Sequence, residues 1–99
     1  MNPLRKYTNE ISELCTRYKV KSLYAFGSVL TDKFNKKSDI DLIVAFHPIE
    51  ILDYADNYFD LKFSLEDVLK RSVDLLEEKA IKNPYFKAAL NEKKQLVYG

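Results

Sequence analysis

The residues whose types and spacing can do chemistry are Gly27-Ser28 and, ten residues further on, Asp39-Ile40-Asp41. Glycine takes backbone angles closed to other residues and lets the chain approach a ligand closely. Backbone N–H groups in such a turn form an anion-binding concavity, and the Ser28 hydroxyl adds a donor for a phosphate oxygen. Residues i and i+2 of a strand point to one face, so Asp39 and Asp41 project together, roughly 7 Å apart at the backbone. Carboxylates on that base can converge on one metal, or on a pair about 4 Å apart. Hard oxygen donors of this kind suit Mg²⁺ or Mn²⁺ better than zinc. Together the two stretches suit a nucleoside triphosphate held by its phosphates and by metal ions. Gly-Ser alone is an ordinary turn, and Asp-x-Asp alone is usually a solvated strand edge. Here five apolar residues, Leu42 to Phe46, follow the second Asp directly. They read as a strand buried on both faces, and two carboxylates at its mouth are costly without a cation or donors to meet them.

The elements that position these residues alternate between helix and strand. Asn2-Pro3 reads as a helix start, with a capping side chain followed by a residue pre-set for the first turn. Leu4, Tyr7, Ile11, Leu14 and Tyr18 then fall on one helical face, and the helix is expected to end near Lys19. Leu23 to Phe26 is the first strand. Val29 to Phe34 reads as a short helix or turn, and Asn35 to Ser38 as a polar turn. Ile40 to Phe46 is the second strand, stopped by His47-Pro48. Ile51 to Phe63 reads as a helix, and Ser64-Leu65-Glu66-Asp67 as the capped start of a second, short one reaching Lys70 or Arg71. Val73 to Leu76 is the third strand. Ala80 to Leu90 is a helix with Asn83-Pro84 near its start or breaking it, and Gln95 to Tyr98 is a fourth, edge strand. The fold class expected is α/β (α+β): a small mixed sheet of about four strands flanked by helices, in one domain spanning 1–99.

Composition narrows the function classes. Hydrophobic residues make up 46%, with seven Tyr and six Phe, which supports a real core. Sixteen basic against fifteen acidic residues leave a net charge of +1, so bulk charge does not mark a nucleic-acid binder and no direct nucleic-acid contact is expected. No stretch approaches the roughly 18 apolar residues of a membrane span. The N-terminus lacks the apolar core of a signal peptide, and cytoplasmic localisation is expected. The single cysteine, Cys15, cannot form an internal disulfide and reads as a small core or edge hydrophobe. His47, the only histidine, has no second soft ligand spaced with it and reads as a polar strand end. Tyr54, Tyr58, Phe59 and Phe63 form an aromatic stripe suited to core packing or a partner interface rather than to base stacking.

Phe26-Gly27-Ser28, ten residues, then Asp39-Ile40-Asp41-Leu42 resembles the signature of the polymerase-beta-like nucleotidyltransferases. It most resembles the minimal nucleotidyltransferase (MNT) branch, whose members pair with HEPN partners, and the resemblance covers nearly the whole chain. It implies a third carboxylate on a later strand, and Asp74 in Arg71-Ser72-Val73-Asp74-Leu75-Leu76 fits that place. Asp39, Asp41 and Asp74 are then the metal-binding and catalytic residues, with Asp74 also accepting the proton of an attacking hydroxyl. Where many members carry an Arg and a second Gly, this chain has Val29-Leu30-Thr31-Asp32-Lys33. Lys33, Lys36, Lys37 or Arg71 are the substitutes for the phosphate-contacting cation, and Lys37 joins Gly27 and Ser28 as the candidate nucleotide-binding residues. The resemblance implies a Mg²⁺-dependent transfer, with two ions, of AMP from the substrate ATP to a hydroxyl. Larger relatives carry an acceptor domain for which this chain has no room. The acceptor is then expected to be bound by a partner or to be the partner itself, and the resemblance implies that it is a tyrosine of a HEPN toxin, with this chain the antitoxin. The alternative of another class is a non-catalytic, nucleotide-binding antitoxin subunit that neutralises its partner by covering it. Modification of a small molecule is a third, weaker expectation.

Overall fold

The computed structural model describes residues 3–27 and 39–99. A 3₁₀ turn, Pro3–Tyr7, leads into α1, Thr8–Arg17. The first turn is tighter than the α-helix expected from Pro3, and the Thr8 hydroxyl donates to the Arg5 carbonyl at 2.7 Å across the junction. Lys19 takes a left-handed conformation (φ 60°) and turns the chain into β1, Val20–Phe26. That strand starts three residues earlier than its apolar run suggests, with a register irregularity between Val20 and Ser22. The chain continues through β2, Ile40–Phe46; α2, Ile51–Leu69; β3, Val73–Glu77; a 3₁₀ turn, Glu78–Ala80; α3, Pro84–Lys93; and β4, Gln95–Tyr98. The strand order is β3-β2-β1-β4. β1 pairs antiparallel with β2 and β4, and β2 pairs parallel with β3, which makes the small mixed sheet of an α+β fold.

The helix expected at Ile51–Phe63 and the short one expected from Ser64 form a single helix. Ser64 is not a cap: its hydroxyl stands 3.5 Å from that of Tyr18. Leu61, Leu65 and Leu69 continue one buried stripe at i, i+4 and i+8 through the supposed break. Each of these leucines contributes about 1.5–3 kcal/mol of burial. The helix stops where Lys70 takes φ 58° as a left-handed cap. At the other end of the chain α3 starts four residues later than expected. Asn83 accepts hydrogen bonds from the Tyr85 and Phe86 N–H groups at 2.9 and 3.1 Å, and Pro84 occupies the first helical position.

The core lies between α1 and α2 and one face of the sheet. Ile11, Leu14 and Cys15 of α1 and the leucines of α2 meet Leu23 and Ala25 of β1, Ile40, Leu42, Val44 and Phe46 of β2, and Val73 and Leu75 of β3. Cys15 is fully buried, and burial pushes its thiol up to about 12, as a core residue requires. Strand alternation sends the residues between these to the opposite face. There Leu90 of α3 and Ile43 of β2, both buried, line one small cavity. Among the described residues no helix is long and apolar enough to cross a membrane.

Candidate active site

Three strands meet at one corner of that second face. β1 ends at Phe26, whose partner across the antiparallel pair is Asp41. On its other side Asp41 is in register with Asp74 of the parallel strand β3. Adjacent strands lie about 4.8 Å apart, so the two carboxylates stand side by side on one face. Asp39 immediately precedes β2, where the Ile40 N–H donates to the Ser72 carbonyl at 3.0 Å and ties the starts of the two strands together. Asp39 and Asp74 are exposed and Asp41 is half-buried.

Gly27 closes the corner. Its φ of +75° lies in the left-handed region that only glycine adopts without cost. A Cβ placed on it would stand 2.5 Å from Oδ2 of Asp41. The glycine backbone therefore lies against the central carboxylate, in space that any side chain would take.

The electrostatics follow from this crowding. Asp41 is pushed above its usual carboxylate range by burial first, then by the charges of Asp74 and Asp39. A cation at the corner would offset the repulsion among the three carboxylates. Among the described residues no three His, Cys, Asp or Glu side chains stand close enough to enclose one ion by themselves. The donor set is nonetheless chemically right for a hard divalent cation: three carboxylates on neighbouring strand ends, the central one raised in pKa by burial and by its two neighbours. Phosphate oxygens seated against Gly27 would supply the remaining ligands.

The structure thus brings together Gly27, Asp39, Asp41 and Asp74. Ser28 and Lys37, with Lys33 and Lys36, lie outside the described residues. His47 is exposed, and its backbone N–H donates to the Lys19 carbonyl at 2.8 Å, in keeping with a strand end. The aromatic stripe divides. Tyr54 and Tyr58 pack on the core, Tyr54 edge-on to Phe46 with ring centres 5.7 Å apart. Phe59 and Phe63 stack on each other at 6.0 Å and are 49% and 56% exposed. Two contacts near the site had no sequence signal. The Tyr58 hydroxyl donates to the Leu75 carbonyl, and Glu66 Oε2 accepts from the Val73 N–H at 2.9 Å. Burial raises the pKa of Tyr58, and the charges of Asp74 and Glu77 raise it further. A groove of about 430 Å³, bordered by Leu76, Ile81 and Phe86, opens further along β3; it too was not foreseeable from spacing.

Comparisons with known proteins agree with this fold. The sequence profile of the family described as "Polymerase beta, Nucleotidyltransferase" matches residues 9–99. A Methanocaldococcus jannaschii protein provisionally designated a protein adenylyltransferase is 42% identical over 95 residues, covering 96% of this chain and 89% of that protein. A solved structure provisionally described as a minimal nucleotidyltransferase is 28% identical, with a TM-score of 0.76 over 93% of this chain and 90% of the other. The fold is shared, at 20% identity and a TM-score of 0.65, with a structure of a tri-AMPylated Shewanella oneidensis HEPN toxin in complex with an MNT antitoxin. That match covers 96% of this chain and 71% of the other.

Proposed function

The chain belongs to the polymerase beta nucleotidyltransferase family, and from that premise we propose that it transfers AMP from ATP to a tyrosine of a HEPN toxin, acting as the antitoxin. The observation that carries this reading is the register of Asp41 against Asp74, with Gly27 backed onto the Asp41 carboxylate. Asp39, Asp41 and Asp74 would hold Mg²⁺, which when bound neutralises triphosphate charge and the charge developing at the α-phosphorus. The turn at Gly27-Ser28 seats the distal phosphates through backbone N–H groups and the serine hydroxyl, with Lys37 as the candidate cation beside them. Asp74, exposed at the edge of the corner, takes the proton of the acceptor hydroxyl. That oxygen bonds to the α-phosphorus, the bond to the bridging oxygen breaks, and pyrophosphate leaves. Positioning and charge neutralisation supply most of the acceleration.

The acceptor reading is supported by the relative designated as acting on proteins and by the AMPylated HEPN toxin in the structural neighbour's complex. The exposed Phe59–Phe63 pair on α2 offers that partner an aromatic contact. A cytoplasmic setting suits both partner and substrate. A second reading, a nucleotide-binding antitoxin without transfer, draws on Val29 to Lys33 standing where many relatives carry Arg and Gly. Incubation with labelled ATP, Mg²⁺ and the partner separates the two. The proposal expects label on the partner with the wild-type chain and none with Asp41→Asn. ATP binding without transfer by the wild-type chain supports the second reading.

A further inference from the structure

β3 carries Asp74 at the edge of the sheet, so among the described residues one side of its backbone has no neighbouring strand. The Ser72 carbonyl faces β2, where it accepts from Ile40. By strand alternation the polar groups of Val73 and Leu75 face outward. Native sheets leave such edge groups to water or blunt the edge, for example by covering it with a helix or loop. Here two side chains of α2 reach down and take one group from each residue. Glu66 Oε2 accepts from the Val73 N–H at 2.9 Å, and the Tyr58 hydroxyl donates to the Leu75 carbonyl. The residue between those two bonds is Asp74.

Resting on the reading of Asp74 as the proton-accepting carboxylate, we propose that Tyr58 and Glu66 are positioning residues that fix the β3 backbone on both sides of Asp74, so that α2 replaces a fifth strand where the chemistry needs rigidity. The helix is suited to this. It is the crossover between the parallel strands β2 and β3, and it returns antiparallel along β3, so that Glu66 reaches the start of the strand and Tyr58 its middle. Tyr58, Lys62 and Glu66 follow one another at i+4 steps along one side of the helix, and Lys62 Nζ lies 3.9 Å from Glu66 Oε2. Leu61 and Leu65, both fully buried, lock the helix rotation from which the two side chains project. Tyr58 remains a donor at neutral pH, because burial and then the Asp74 and Glu77 charges all favour its protonated form. An exposed carboxylate on an unanchored edge strand would sample many positions. The two bonds restrict it without burying it.

The test is AMP transfer to the HEPN partner with labelled ATP, measured as kcat and KM for Tyr58→Phe, Glu66→Ala and Glu66→Gln, with Asp74→Asn alongside. Tyr58→Phe and Glu66→Ala should each lower kcat about tenfold with KM for ATP unchanged, part of the ~10²-fold that a 1 Å misplacement costs. Glu66→Gln keeps an acceptor oxygen while losing the ion pair to Lys62, and should restore most of the rate. Val73 amide exchange should quicken in Glu66→Ala and not in Glu66→Gln. Wild-type kcat in both Tyr58→Phe and Glu66→Ala, with Asp74→Asn inactive, overturns the inference and leaves the reading of Asp74 standing. Equal losses in Glu66→Ala and Glu66→Gln also overturn it, since the charge and not the bond to Val73 would then matter. A wild-type rate in Asp74→Asn, or no transfer by the wild-type chain, overturns the reading of Asp74 and this inference with it.

Discussion

Replacing Gly27 by alanine separates the contribution of this corner to stability from its contribution to chemistry. Two costs add. The backbone at φ +75° is left-handed, which costs a residue with a Cβ about 1–2 kcal/mol. The new methyl also stands 2.5 Å from Asp41 Oδ2, where ordinary contact begins at 3.4 Å. The shortfall, 3.4 − 2.5, is 0.9 Å. The Asp41 backbone cannot yield, because β2 is paired on both sides, so the carboxylate must swing by about that distance. Rotating a half-buried side chain adds little to the stability cost, and a loss of about 1–2 kcal/mol lowers Tm by roughly 4–8 °C per kcal/mol. A displacement of nearly 1 Å at a group that holds reacting atoms costs on the order of a hundredfold in rate. Gly27→Ala should therefore stay folded at 25 °C, melt several degrees lower, and transfer AMP about a hundredfold more slowly. In an Asp41→Ala background the next contact of the new methyl is Asp41 Cβ at 3.6 Å, so only the backbone cost should remain. Circular dichroism melts of the four proteins in that cycle, with the transfer assay on the two that keep Asp41, test the argument. A wild-type rate in Gly27→Ala would refute it. So would a rate loss no larger than the unfolded fraction explains.

Asp41→Asn should abolish transfer, a loss on the order of a thousandfold, and yet raise Tm at neutral pH. The folded-state pKa of Asp41 is raised, so its contribution to stability is fully present below its unfolded pKa and is lost as pH rises through the folded value; a pH series of melts should show this loss in the wild type and a smaller one in the variant. A thermal melt with Mg²⁺ alone should shift little, and with ATP present clearly, because the described carboxylates do not enclose an ion unaided and the triphosphate supplies the missing ligands. Equal shifts by ATP with and without the metal would count against carboxylate-held Mg²⁺. Phe63→Lys, at a residue 56% exposed, should weaken co-purification of the partner at least tenfold while leaving ATP binding and Tm nearly unchanged.

The legible parts of this chain are those set by short-range pattern. Ile40 to Phe46 is legible as a buried strand because it is apolar but for Asp41, and Gly27 with Asp39 and Asp41 stands out as a candidate site because that arrangement has few structural uses. Asp74 was reachable only through family resemblance; a lone Asp opening a short apolar run carries no signal of the register that sets it beside Asp41. The break placed at Ser64 was wrong because capping chemistry is local, whereas the Leu61-Leu65-Leu69 stripe that keeps the helix whole draws its energy from tertiary burial. The aromatic stripe could not be divided in advance, since Tyr58 and Phe59 are neighbours whose fates depend on the rotation of α2 over β3. Tyr58 and Glu66 were invisible for a related reason: which backbone groups an edge strand leaves open is a property of the sheet order.

The intact mass of the HEPN partner tests the central claim most directly. After incubation with this chain, ATP and Mg²⁺, the partner should gain the mass of one or more AMP groups, located by fragmentation on tyrosine, and should gain none with Asp41→Asn or Asp74→Asn. A partner that binds the chain tightly and keeps its unmodified mass, under conditions where ATP is bound, would contradict the transfer of AMP.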